Sequence, residues 1–306
     1  MSILIDNNTR VIVQGITGRD GSFHTEKMLD YGTQVVGGVT PGKGGQEVCG
    51  VPVFNTLKEA VSETGADASV IFVPAKFALE ALLEAADSPL KLVVCVTEGI
   101  PTLDVMKALE ALTANGTRLI GPNCPGITSP GKCKVGIMPS QIFTPGPIGL
   151  MSRSGTLTYE IVSGLTAVGL GQSTCMGIGG DPVIGSRYTD LLPLFEEDPQ
   201  TEAVVMVGEI GGQDEIVAAN YFRKMMNKPV VAFIAGITAP PGKRMGHAGA
   251  LVGGEDETAA SKIMKLEDAG IPVARVISDV PNLLTSIIRK PVYSVVEKQS
   301  AVGGGS

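Results

Sequence analysis

One of the two histidines in this chain of 306 residues, His247, lies within Lys243-Arg244-Met245-Gly246-His247-Ala248-Gly249-Ala250. Glycine and alanine on both sides leave its imidazole reachable, and an imidazole with an ordinary pKa of about 6.5 serves as nucleophile or base near neutrality. An isolated histidine in a glycine-rich loop is more often a plain surface residue, so the chemical reading rests on its companions. Gly208-Glu209-Ile210-Gly211-Gly212 follows a β-branched run. A carboxylate there, Glu209, can accept an imidazole N–H, fix the tautomer and turn the other ring nitrogen into the nucleophile. Ser152-Arg153-Ser154-Gly155-Thr156 sets small hydroxyl residues and a glycine where a strand turns into a helix. Ser154 and Gly155 there form a candidate anion nest, against the commoner use of such a serine as a helix cap. An imidazole, an orienting acid and a helix-terminal cradle together point to a histidine that accepts a phosphoryl group. The chain offers no matching nucleoside triphosphate site, which places the phosphoryl donor on another subunit.

A second glycine turn, Gly15-Ile16-Thr17-Gly18-Arg19-Asp20-Gly21, directly follows the first β-branched run and opens a helical pattern. That context suits a pyrophosphate on the helix N-terminus, although the spacing meets the dinucleotide fingerprint in part. NAD-binding chains carry an acid for the ribose diol at the end of the second strand. Here that stretch reads Val39-Thr40-Pro41-Gly42-Lys43-Gly44-Gly45, and a lysine suits an extra phosphate, as on NADP or the 3′-phosphate of coenzyme A. Gly37 to Lys43 nearly has P-loop spacing, but Gly44 replaces the magnesium-holding Ser/Thr and no helix follows, which excludes an ATPase loop. Val96-Thr97-Glu98 ends another strand on the edge where such sheets bind ligands.

The elements that must carry these residues alternate strictly. Val11–Val13, 35–36, 69–73, 92–96 and 119–120 are strand-like, with helical patterns over 77–86 and 104–114. A stretch rich in Pro and Gly interrupts them, and a second alternation follows: strands over 148–151, 203–207, 229–234 and 272–276, helices over 213–226 and 258–269. This predicts two α/β domains with parallel sheets, Rossmann-like then flavodoxin-like, divided as 1–122, a connector at 123–146, 147–290 and a disordered tail at 291–306. Forty glycines and no tryptophan fit such sheets. A net charge of −7 without a basic block argues against nucleic acid, and no apolar run reaches the roughly 20 residues of a membrane span. Five scattered cysteines and the lack of an export leader point to a reducing compartment, the cytoplasm, or a mitochondrial matrix after removal of a presequence. Cys124 reads either as a neighbour of a bound thiol or as a small buried hydrophobe.

Gly121-Pro122-Asn123-Cys124-Pro125-Gly126, Ser152 to Glu160, Gly177-Ile178-Gly179-Gly180-Asp181-Pro182, Gly208 to Gly212 and Gly246 to Ala250 occur in order. With these blocks, residues 3 to 290 closely resemble the α subunits of succinyl-CoA synthetases (succinate–CoA ligases). The resemblance implies a CoA-binding first domain, with Thr17, Gly18, Arg19, Asp20, Lys43, Val96, Thr97 and Glu98 as CoA contacts. It implies His247 as the phosphorylated residue, Glu209 as its supporting acid, Ser154 and Gly155 at the phosphoryl group, and Tyr159 at the carboxylic acid substrate. It further implies a β subunit of the ATP-grasp type, in a heterodimer or heterotetramer, that binds ATP or GTP with Mg2+; the substrates are then succinate, CoA and phosphate. The charged Arg19-Asp20 pair and the acidic Glu255-Asp256-Glu257 run depart from the family's pattern. Malate–CoA and citrate relatives share the motifs, and Pro125 after Cys124 leans toward succinate. An NAD(P)-binding redox module and a non-catalytic CoA-binding partner are the alternatives from other classes.

Overall fold

The computed structural model describes residues 2–240 and 242–288. The expected tail at 291–306 lies outside the described residues. The first half runs β1 (Arg10–Gln14), α1 (Arg19–Asp30), β2 (Gln34–Val39), β3 (Glu47–Val48), β4 (Val51–Phe54), α2 (Leu57–Thr64), β5 (Ala68–Ile71), α3 (Ala75–Ala86), β6 (Leu92–Cys95), α4 (Thr102–Ala114) and β7 (Arg118–Ile120). Its strands pair in the order β3-β4-β2-β1-β5-β6-β7, all parallel except the β3–β4 edge. Without β3 this is the Rossmann order, whose reversal falls between β1 and β5 and opens a crevice at their C-terminal ends. The strands read as short apolar runs because both faces are covered; β5 and β6 are buried at every position.

The second half runs β8 (Gly126–Ser129), β9 (Cys133–Gly136), β10 (Pro145–Ser152), α5 (Gly155–Ala167), β11 (Gln172–Gly177), α6 (Tyr188–Glu197), β12 (Ala203–Glu209), α7 (Asp214–Met225), β13 (Val230–Ala235), α8 (Ala259–Asp268), β14 (Val273–Ala274) and α9 (Asp279–Ile288). The order β14-β13-β12-β10-β11-β8-β9 contains the flavodoxin-like arrangement of five parallel strands, β10 to β14. Residues 123–146, expected as an aperiodic connector, hold β8 and β9, an antiparallel pair added to the β11 edge. Period alone hid them because both strands are short, and one begins and the other ends on a glycine of positive φ, Gly126 and Gly136.

Strand β11 is the other element that its composition disguises. Gln-Ser-Thr-Cys-Met-Gly is half polar yet buried throughout. Its polar groups find partners across the sheet: Ser173 bonds Thr201 at 2.7 Å, and Thr174 bonds Ser129 at 3.0 Å. Satisfied in this way, hydroxyls do not oppose burial. One apolar cluster, including Val13, Val94, Ile120, Ile127, Met151 and Val204, passes from the first sheet to the second. Among the described residues no helix is long and apolar enough to cross a membrane.

Candidate active site

In the second sheet the direction of winding reverses between β10 and β12, so ligand chemistry is expected at the C-terminal ends of those strands. Strand β10 delivers Arg153 and Ser154 there, and β12 ends on Glu209. The Glu209 side chain is 8% exposed, and its Oε2 lies 2.8 Å from His247 Nδ1. A carboxylate only accepts, so Nδ1 carries a proton, and in the neutral ring Nε2 keeps its lone pair. Glu209 raises the His247 pKa above its ordinary value through that hydrogen bond, which outweighs the lowering effect of burial. The other Glu209 oxygen, Oε1, lies 3.4 Å from Arg153 Nε. Arg153 also donates from Nη2 to the Asp181 carbonyl at 2.8 Å and lies 3.5 Å from Asp214. No role followed for Arg153 from the sequence, although it stands inside the anion-nest motif; an arginine beside that turn was the available signal.

Glycines make room for the histidine. A Cβ on Gly180 would run into the imidazole ring, and one on Gly211 into the Gly249 carbonyl. The Gly249 amide donates to the Gly180 carbonyl at 2.9 Å, and the His247 loop closes on itself through Met245 N to Ala250 O, also 2.9 Å. Gly180→Ala is therefore expected to displace the ring and slow any reaction at the imidazole by about 10²-fold, because catalysis is sensitive to misplacement on the order of 1 Å. Turnover measures this, and an unchanged rate would mean that the ring has another productive position.

The Ser154 hydroxyl accepts from the Leu157 amide at 3.3 Å, which makes it the N-cap of α5. Groups left to face an anion are then the first-turn amides, beginning with Gly155, which have no acceptor within the helix. Tyr159, further along α5, is half-buried against the apolar cluster under the helix, and burial raises its phenol pKa. Cys124 is buried, donates to the Cys95 carbonyl at 3.3 Å and is held as a thiol by burial.

Across the crevice of the first sheet, Gly15 takes φ +84°, and Gly18 caps α1 without any side-chain acceptor. The amides at the start of α1, including Arg19 and Asp20, therefore remain open to an anion. Gly21 has to be glycine because a Cβ there would strike the Gly15 carbonyl. Thr17 Oγ1 donates to Thr40 Oγ1 at 3.1 Å, tying this turn to the end of β2. Lys43 is exposed in the turn after β2, whose amides at Gly42 and Gly44 each bond Asn55 Oδ1 at 3.0 Å. Arg19 and Asp20 are exposed and pair with each other. The Val96 amide donates to the Ile71 carbonyl, and Thr97 Oγ1 to the Val73 carbonyl at 2.7 Å, with the exposed Glu98 following. Thr17 to Asp20, Lys43 and Val96 to Glu98 thus occupy the C-terminal edge of one sheet.

Asn123 joins the two edges, a role that its motif alone did not indicate. With φ +55°, its amide donates to the Thr97 carbonyl at 3.0 Å, and its carbonyl accepts from Gly180 at 3.2 Å. Its side chain donates to Asp181 Oδ1 at 3.0 Å. Burial raises the Asp181 pKa, and the charge of Glu98 acts on both Asp181 and His247. The two crevices are therefore within electrostatic reach of each other.

Residues 6–99 match the family described as CoA binding domain, and residues 151–271 the family described as CoA-ligase. The chain is 59% identical over 288 residues to succinate–CoA ligase (ADP-forming) subunit alpha 2 of Archaeoglobus fulgidus, covering 94% of this chain and 100% of that protein. It is 59% identical over 272 residues to the corresponding alpha subunit of Aquifex aeolicus, covering 88% and 89% of the two. Among solved structures, ATP citrate lyase from Methanothrix soehngenii in complex with citrate and coenzyme A superposes with a TM-score of 0.84 at 25% identity. That match covers 94% of this chain, which spans about half (52%) of the lyase chain. By the identity and coverage of these relatives, the chain belongs to the family of succinate–CoA ligase α subunits.

Proposed function

We propose that this chain binds CoA at the edge of its first sheet and carries a phosphoryl group on His247 Nε2, as the α subunit of an ADP-forming succinate–CoA ligase. The 2.8 Å contact between His247 Nδ1 and Glu209 Oε2 at the winding reversal of the second sheet carries this reading. In the proposed cycle a β subunit of the ATP-grasp type, with Mg2+, transfers the γ-phosphoryl of ATP to Nε2 and keeps ADP. One succinate carboxylate then attacks the phosphorus, the N–P bond breaks, and an acyl phosphate forms. The CoA thiolate attacks the acyl carbon and expels inorganic phosphate. Glu209 stabilises the ring while Nε2 bears the phosphoryl group, and the first-turn amides from Gly155 onward receive its oxygens.

CoA binding is assigned to residues 1–122 and phosphoryl chemistry to residues 147–290. The open start of α1 suits the pyrophosphate through the amides of Arg19 and Asp20, with Thr17 and Gly18 shaping the turn before them; Lys43 suits the 3′-phosphate, and Val96 to Glu98 line the path toward Asn123. Tyr159 is assigned to the carboxylic acid. Five free cysteines fit a reducing compartment such as the cytoplasm. Lys43→Ala is expected to raise the KM for CoA by about three- to tenfold with kcat unchanged, because an exposed phosphate contact remote from the reacting atoms contributes uniform binding. Steady-state kinetics at varied CoA measure this, and an equal fall in kcat would place Lys43 in the chemistry.

The direct test incubates the chain, assembled with its β subunit, with succinyl-CoA and inorganic phosphate, followed by phosphopeptide mapping. An acid-labile phosphate on His247 is expected. A complex that ligates CoA yet labels no histidine with either succinyl-CoA or malyl-CoA would refute the carrier role.

A further inference from the structure

Beneath the Glu209 turn lies a charged pair that the proposed cycle does not use. Lys262 on α8 is 0% exposed and Glu215 on α7 is 1% exposed. Lys262 Nζ donates to the Glu209 carbonyl at 2.7 Å, to the Gly211 carbonyl at 2.7 Å and to Glu215 Oε2 at 2.5 Å. The three protons of the ammonium thus find three oxygens, as a buried charge requires. Glu215 Oε1 in turn accepts from the Glu209 amide at 3.2 Å. Gly208 leaves the space this carboxylate fills, because a Cβ at that position would strike it.

The pair therefore holds both backbone polar groups of Glu209 and the carbonyl two residues on. Gly211, with φ +88°, is the floor against which the Gly249 carbonyl packs, and Gly249 follows His247 by two residues. A helix pair on one side of the sheet thereby sets the direction of the Glu209 side chain and the seat of the histidine loop.

We infer that Lys262 and Glu215 are positioning residues for the His247–Glu209 couple, acting through the Glu209–Gly211 backbone and touching no reactant. The inference rests on the proposed carrier role of His247 for its kinetic expression, but not for its geometry.

The test is the double variant Lys262→Met with Glu215→Gln in the αβ complex. Both charges leave together, so none is stranded; Met keeps the aliphatic stem and Gln keeps an oxygen for the Glu209 amide. With CoA affinity and Tm retained, phosphorylation of His247 is expected to slow by about 10- to 100-fold, the usual cost of losing an orienting partner. By NMR, the His247 titration should move down toward the ordinary histidine value. A folded double variant with unaltered rate and titration overturns the inference. Glu215→Asp, which keeps both charges but withdraws the carboxylate by one methylene, guards against failure to fold. It is expected to slow phosphorylation by about tenfold and to move the titration the same way; an unaltered rate and titration there overturn the inference as well. Should the unaltered complex label no histidine, the carrier role fails, while the titration still reports on the pair.

Discussion

Replacing His247 with asparagine is expected to abolish phosphoryl transfer, and with it ATP-dependent ligation, while leaving the affinity for CoA within about twofold. Asparagine can still donate to Glu209 from its amide but offers no nitrogen lone pair of imidazole basicity, so the covalent step has no acceptor. The fall in kcat should be on the order of 10⁴-fold or more, reaching background, because no second imidazole stands nearby: the other histidine, His24, sits on α1 stacked against Phe72. CoA contacts are assigned to the first sheet, and the His247 loop follows β13 of the second. Calorimetric CoA binding alongside ligation kinetics measures both. Ligation above about a hundredth of the unaltered rate would show that the phosphoryl group passes directly between substrates.

Glu209→Gln should have the second largest effect, a loss of roughly 10²-fold in phosphorylation together with a displaced pH profile. Protonated imidazole has no lone pair, so phosphorylation falls as pH drops through the His247 pKa. Glu209 holds that pKa above 6.5, chiefly by its hydrogen bond, while burial and Arg153 oppose it. In the unaltered chain the acid limb should therefore lie above pH 6.5, and in Glu209→Gln it should move down, where burial and Arg153 act without the opposing carboxylate. Stability follows the same sign. A raised folded-state pKa stabilises below the unfolded value and loses that contribution as pH rises through the folded value. The variant should thus lose more Tm at pH 5.5 than at pH 9. A pH profile and melting series together decide this, and an unmoved acid limb would mean that Glu209 does not set the titration of His247.

Part of this protein was written along the chain. Strand and helix alternate in β-branched and Ala/Leu-rich runs, so two parallel α/β layers follow from period and composition. His247 among small residues, the Gly15–Gly21 turn before α1 and the missing acid after β2 are local features, and each keeps its meaning without a partner. Other decisions belong to strand order and register. Glu209 and His247 are 38 positions apart, and Arg153 reaches Glu209 across 56. Nothing in the spacing of these residues says that β10 and β12 become neighbours and bring them together at the winding reversal. The half-polar strand β11 is buried because Thr201 and Ser129 answer its hydroxyls, and those partners exist only in the assembled sheet. Lys262 and Glu215 look like helix-surface charges in sequence, and Asn123 like a turn residue. A side chain's chemistry is local, but what satisfies it is set by contacts between distant segments, so their roles were decided in the tertiary structure alone.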